Sequence, residues 1–137
     1  SVAFKDFAHS PSKLKATVEA IKEQYADKQV IACMELHTYS SLTDSFLPEY
    51  KNCMEKADIA FVYYNPEVIK HKGLEDIEEA KVANAFGGDN LMVFTDNQAL
   101  QEKLRSLNYE NSVLIFMTSG NFSGINIIDF ANELLHK

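Results

Sequence analysis

Gln29-Val30-Ile31-Ala32-Cys33-Met34 carries neither a charge nor a turn former. A compact apolar run of this length reads as a strand buried on both faces of a parallel sheet. Upstream of it, Ser10-Pro11 marks a helix start, an N-cap followed by Pro at the first helical position. Leu14, Val18, Ile21 and Tyr25 follow at helical spacing and give one apolar face. A short first strand covers about residues 2–5. Downstream, residues 35–45 form a polar loop rich in Ser and Thr. Pro48 predicts a second helix, with Leu47, Tyr50, Met54 and Ala57 facing inward. Residues 59–64 read as a third strand that ends in a loop at Asn65-Pro66. A weaker helix is expected over 74–86, stopped by Gly87-Gly88-Asp89. Residues 91–95 and 112–117 are strands four and five. Leu100, Leu104 and Leu107 mark the helix between them, and Ile127, Phe130, Ala131 and Leu134 mark the last helix.

Strand and helix signals therefore alternate throughout. That predicts an α/β, Rossmann-like open sheet, mostly parallel, of about five to six strands with helices on both faces. Residues 1–137 are expected to form a single domain. Ligands of such sheets bind beyond the carboxyl ends of the strands, so the loops to inspect are 6–11, 35–45, 65–73, 95–97 and 118–124.

Bulk properties narrow the function. A formal net charge of −7 argues against a nucleic-acid partner, which would need clustered Lys and Arg. No apolar run approaches the ~20 residues of a membrane span, so no membrane partner is expected. Cys33 and Cys53 lack metal-type spacing and read as reduced packing residues of a cytoplasmic protein. The chain starts at Ser1 without an initiator Met or the features of a signal peptide. It is expected to begin inside a longer protein.

Asp6-Phe7-Ala8-His9-Ser10-Pro11 lies between a strand and a helix N-terminus, where free N–H groups and the helix dipole favour an anion. A carboxylate, an imidazole and a hydroxyl within five residues would suit a ribose, a phosphate or a metal-bound water. The plainer alternative is that Asp6 and Ser10 cap the turn and His9 lies on the surface. Asp6 and His9 alone are too few ligands for a metal, and no metal site is expected. His71 and His136 read as solvated, and Tyr63-Tyr64 as strand-end packing. Glu75, Asp76, Glu78 and Glu79 read as an exposed acidic face near a helix start. No Gly-x-x-x-x-Gly-Lys-Ser/Thr or Gly-x-Gly-x-x-Gly phosphate loop is present.

Phe4-Lys5-Asp6-Phe7-Ala8-His9-Ser10-Pro11 resembles the opening motif of the Mur ligase C-terminal domain. Ala57-Asp58-Ile59, Asn65-Pro66 and the closing Met117-Thr118-Ser119-Gly120-Asn121-Phe122-Ser123-Gly124-Ile125 follow in the same order. The closing stretch is similar to the murein peptide ligase branch, UDP-N-acetylmuramate:L-alanyl-γ-D-glutamyl-meso-diaminopimelate ligase. The resemblance implies one domain of an ATP-dependent enzyme of peptidoglycan synthesis or recycling. Such an enzyme joins a UDP-N-acetylmuramate-type carboxylate to an amino acid or peptide through an acyl phosphate. ATP and Mg²⁺ would be held mainly by a central domain outside this chain, with no cofactor intrinsic to it. The partners would be the N-terminal and central domains of the same enzyme.

The resemblance further implies Asp6 and His9 as catalytic residues, with Asp6, Phe7, His9 and Ser10 toward the nucleotide. Glu35, His37, Thr38, Tyr39, Asn65, Ser119, Gly120, Asn121 and Phe122 would face the incoming substrate. Two departures stand out. Glu67 follows Asn65-Pro66 where one branch carries an Arg. Glu35-Leu36-His37-Thr38 stands where murein peptide ligases tend to have Glu-Pro-Arg-Ser, and His37 lacks the bidentate fork of an Arg. The competing reading is a stand-alone flavodoxin-like ligand-binding or signalling module, although the 6–11 loop is poor in glycine.

Overall fold

The computed structural model describes residues 1–38, 42–43 and 45–136. Five strands form one sheet: β1 (Val2–Asp6), β2 (Gln29–Glu35), β3 (Ile59–Tyr63), β4 (Leu91–Phe94) and β5 (Ser112–Met117). All neighbouring pairs are parallel and the spatial order is β1-β5-β2-β3-β4. The helices are α1 (Pro11–Gln24), α2 (Pro66–His71), α3 (Glu79–Phe86), α4 (Asn97–Arg105) and α5 (Ile127–Leu135). This is the open Rossmann-like α/β sheet that the alternating pattern predicts.

The sequence separates the two faces by simple alternation. Val30, Ala32 and Met34 of β2 and Ala60 and Val62 of β3 pack with Leu14 and Val18 of α1, Ile69 of α2, and Val82 and Phe86 of α3. Ile31, Cys33, Phe61 and Tyr63 point the other way, toward Leu100 and Leu104 of α4 and Ile127, Phe130 and Leu134 of α5. Burial on both faces is why β2 and β5 are almost wholly apolar. Cys33 and Cys53 are both free and buried. Burial pushes both thiols up, so they stay protonated at neutral pH.

Local expectations fail in instructive places. Pro48 does not start an α-helix: Leu47–Tyr50 is a single 3-10 turn, and Asn52 at φ 63 interrupts any continuation. Leu47, Tyr50, Met54 and Ala57 are nevertheless buried, so the inward pattern survives a change of conformation. The loop expected over 65–73 contains α2, with Asn65 as a working N-cap that accepts from the Glu67 N–H. The helix expected over 74–86 starts only at Glu79. Its end is as expected, at Gly87 with φ 72, a left-handed geometry that favours glycine. Ser10 holds the N-cap position of α1, but its side chain makes no capping hydrogen bond.

Strand order places the site. Running β1, β2, β3, β4, the chain crosses in one direction over the α1 face. It then returns across the α4 and α5 face to insert β5 between β1 and β2. Right-handed crossovers require this change of face when the direction reverses. The loops after β1 and β2 thus leave on one side of the sheet and the loop after β5 leaves on the other. In sheets of this kind the crevice that takes the ligand lies between them at the carboxyl edge, the topological switch point.

Asp58 ties the other edge together. Its Oδ2 accepts from Lys22 Nζ at 2.8 Å and from the Val30 N–H at 2.7 Å, joining α1 and β2 to the start of β3. Burial works against ionisation, but the hydrogen bonds from Lys22 and Val30 and the Lys22 charge outweigh it and hold the carboxyl below its usual range. A depressed folded-state pKa stabilises above the unfolded value and is lost as pH falls through the folded one. Asp58→Ala is expected to cost about 1 kcal/mol at pH 7, a modest figure because the pair is partly exposed and screened. Urea unfolding of both proteins at pH 7 and pH 3 checks this: the gap should narrow at pH 3, and an equal gap would remove the ion pair from the account.

Candidate functional site at the switch point

Register aligns the three strand ends that matter. Asp6 of β1 and Met34 of β2 both lie beside Met117 of β5, and Glu35 lies beside Tyr63 of β3. The segments after these positions carry most of the polar groups singled out in the sequence. Thr118 N–H donates to the Asp6 carbonyl at 3.1 Å, so the loops after β1 and β5 start in contact.

The segment after β1 is self-organised. Asp6 Oδ1 accepts from the Ala8 N–H at 2.7 Å. His9 Nδ1 lies 2.9 Å from the Phe7 carbonyl. A carbonyl can only accept, so the proton sits on Nδ1 and Nε2 is left as the acceptor nitrogen. Phe7 is 70% exposed, with its ring edge-on to His9 at 5.4 Å. The Tyr50 hydroxyl donates to the His9 carbonyl and fixes the backbone from below. Because Ser10 does not cap α1, the free N–H groups of its first turn remain available to an anion.

The segments after β2 and β5 interlock. Glu35 is 2% exposed. Its Oε1 accepts from Thr118 Oγ1 at 2.6 Å and from the Phe122 N–H at 3.0 Å. Thr118 Oγ1 in turn accepts from the Gly120 N–H at 2.7 Å. His37 is partly exposed, with Nδ1 3.8 Å from Glu35 Oε2, an ion-pair separation too long for a direct hydrogen bond. Gly120 packs on this ring: a Cβ there would lie 2.9 Å from His37 Cδ2 and 3.1 Å from Glu35 Oε1. Ser119 and Gly120 are half-buried and Asn121 is exposed.

Phe122 turns inward and is fully buried, stacked on Tyr63 at 6.0 Å and edge-on to Phe116 at 5.6 Å. Asn65 uses both ends of its amide within the fold, capping α2 and donating to Ser123 Oγ at 3.0 Å. Tyr63 donates to the same hydroxyl at 2.8 Å. Of the expected residues, Asp6, Phe7, His9, Ser10, His37, Thr38, Ser119, Gly120 and Asn121 therefore lie on partly or fully exposed segments at this edge. Glu35 and Phe122 are buried supports rather than exposed contacts, and Tyr39 lies outside the described residues. Thr118 and Ser123 were not singled out in the sequence. A hydroxyl directly after a fully apolar strand was the available signal for Thr118.

A hollow of about 650 Å³, lined in part by Ser1, Tyr109, Asn111 and His136, lies at the amino ends of the strands. The reversal of strand order favours the carboxyl edge instead. Among the described residues, no three His, Cys, Asp or Glu side chains group to hold a metal ion. No described helix is long and apolar enough to cross a membrane.

No family model matches the chain. A UDP-N-acetylmuramate–L-alanine ligase of Leuconostoc citreum is 30% identical over 132 residues, 95% of this chain and 27% of that protein. This chain is a Mur ligase-like domain. It spans about a quarter of the length of the curated relatives it matches. Among solved structures, a murein peptide ligase of Psychrobacter arcticus overlays the Mur ligase-like domain with TM-score 0.67 and 18% identity, over 99% of this chain and 28% of that one. A domain assigned to a UDP-N-acetylmuramate:L-alanyl-γ-D-glutamyl-meso-diaminopimelate ligase of Haemophilus ducreyi overlays with TM-score 0.63 and 18% identity, over 98% of this chain and 89% of that one. At these identities the structures establish the fold, and it is the fold expected from the alternation of strand and helix signals.

Proposed function

We propose that this Mur ligase-like domain is the C-terminal, substrate- and nucleotide-closing part of a cytoplasmic ATP-dependent ligase of peptidoglycan synthesis or recycling. The enzyme activates a UDP-N-acetylmuramate-type carboxylate as an acyl phosphate, and the amine of an amino acid or short peptide displaces the phosphate to form an amide. The observation that carries this reading is the convergence of the loops after β1, β2 and β5 at the switch point, in a chain similar to Mur ligases over 95% of its length.

The two sides of the crevice divide the work. Asp6, Phe7, His9 and Ser10 form the nucleotide side. The uncapped start of α1 offers N–H donors to phosphate, the exposed Phe7 ring offers a stacking face, and His9 Nε2 offers an acceptor. Asp6 Oδ2 remains for a cation or a ribose hydroxyl, since Oδ1 holds Ala8. These groups fit a nucleotide–Mg²⁺ complex as a partial shell that other domains of the enzyme complete. ATP would supply the phosphoryl group, and the N–H groups at the start of α1 would help to orient it.

His37, Thr38, Ser119, Gly120 and Asn121 form the amine-substrate side. Gly120 lets a ligand backbone come close, Asn121 offers both a donor and an acceptor, and His37 offers its imidazole to a donor group of the amine substrate. Tyr39, outside the described residues, belongs to the same proposal on sequence grounds, and Asn65 joins it through its hydrogen bond to Ser123 in the loop after β5.

The 137-residue chain lacks a phosphate loop and is expected to turn nothing over by itself. Phosphate release with ATP, Mg²⁺, UDP-N-acetylmuramate and either L-alanine or tripeptide is the measurement. Release at background by the chain and well above it by the full-length enzyme is the expected result. Robust turnover by the chain alone would overturn the closing-domain reading.

A further inference from the structure

We propose that Glu35 is a positioning residue that does not touch substrate. It locks the loop after β5 and the His37 ring into one arrangement at the mouth of the crevice. Glu35 ends β2 on the same face as Ile31 and Cys33, so its carboxyl group enters the layer between the sheet and the α4–α5 side and is 2% exposed. A buried carboxyl group there needs partners. Oε1 has two, the Thr118 hydroxyl and the Phe122 N–H.

The loop needs such a tether. Phe122, Ser123 and Gly124 are consecutive left-handed residues, at φ 52, 59 and 97, and two of them carry a Cβ that opposes this conformation. Within the loop, Asn121 holds Gly124 and Ile125. Glu35, from another strand, holds Phe122 itself. Thr118 passes the same anchor on to Gly120 through its hydroxyl.

The second oxygen faces His37. Glu35 Oε2 lies 3.8 Å from Nδ1, while the Cγ–Cδ2 edge of the ring packs on Gly120. With those two sides occupied, Nε2 is the ring nitrogen directed away from Glu35. The carboxyl favours the proton on Nδ1 in the neutral ring, which makes Nε2 an acceptor. One buried side chain therefore sets both loops on the amine-substrate side of the crevice. Its consequence for substrate binding rests on the reading of these loops as the amine-substrate side.

Glu35→Gln and Glu35→Ala separate the two oxygens. Gln must keep its carbonyl toward Phe122 N–H, a donor, which turns its NH₂ toward His37. In the 137-residue chain, Glu35→Gln is expected to leave the Phe122 amide protected and to move the neutral-ring proton of His37 from Nδ1 to Nε2, read by ¹⁵N chemical shifts. Glu35→Ala is expected to speed Phe122 amide exchange about tenfold or more, the loss of a buried hydrogen bond to a carboxyl group. Wild-type exchange and wild-type tautomer in Glu35→Ala would overturn the proposal. If that variant does not fold, an unchanged His37 tautomer in Glu35→Gln overturns it. In the full-length enzyme, Glu35→Gln is expected to raise KM for the amine substrate severalfold with kcat nearly unchanged. Altered spectra with an unaltered KM would support the clamp and count against the crevice as the amine-substrate side.

Discussion

Phe122→Ala is expected to destabilise the domain by about 3–5 kcal/mol, the range for removing a buried phenyl ring that its surroundings cannot replace. The ring is fully buried, with Tyr63 stacked on one side and Phe116 edge-on. Asn97 Nδ2 donates to the Phe122 carbonyl at 2.8 Å, and the Phe122 N–H is held by Glu35. The backbone is thus fixed at both polar groups and cannot readily collapse into the cavity. Alanine is also an L-residue and meets the same resistance at φ 52. Backbone strain therefore cancels in the comparison, and the difference reports packing. A domain of this size has about 5–15 kcal/mol to lose, so the variant should fold marginally and with a loosened 118–124 loop. Urea unfolding of the two proteins measures the difference. A loss below about 1 kcal/mol would place the ring outside the core.

Phe122 also shows what the sequence conceals. Its loop was legible as functional because small residues follow a fully apolar strand. Nothing local says that a Phe between Asn121 and Ser123 turns inward, because that depends on Tyr63 and Phe116 from two other strands. Glu35 is different. Counting by twos from Ile31 and Cys33 puts it on the α4–α5 face, so its burial was readable from the strand period alone. A charge at a strand end looks like the start of a solvated loop, which masks that signal.

The fold was more legible than the site. β2 and β5 are uniform apolar runs because both faces are covered, whereas β4, an edge strand with Met92 44% exposed, is shorter than expected. Asn65-Pro66 carries the same signal as Ser10-Pro11, an N-cap followed by Pro, but no periodic apolar face follows it in the sequence. α2 is six residues long with only Ile69 buried, too short to show a period. Strand order had no local trace: that β5 inserts between β1 and β2 follows from tertiary packing, and it is this insertion that brings the three loops together.

In the full-length enzyme, His9→Ala is expected to lower turnover roughly 30- to 1,000-fold, the equivalent of ~2–4 kcal/mol for losing one preorganised polar group at a reacting centre. Stability should change by about 0.5 kcal/mol, as for a side chain outside the core. The structure gives reasons for both halves. The Tyr50 hydroxyl holds the His9 backbone carbonyl and not its ring, so the turn keeps its support when the ring is removed. The ring's own contacts are the Phe7 carbonyl and the edge of the exposed Phe7 ring, neither of which is a core interaction. What the substitution removes is Nε2, an acceptor held ready by the proton on Nδ1. It is placed at the carboxyl end of β1, next to the free N–H groups of α1. Because the amine substrate is assigned to the other side of the crevice, its KM should stay within about twofold while kcat falls. Steady-state kinetics and a thermal melt on the same preparation test this. Unchanged kcat would return His9 to the surface, and a fall in kcat matched by a large drop in melting temperature would make it a structural residue of the turn.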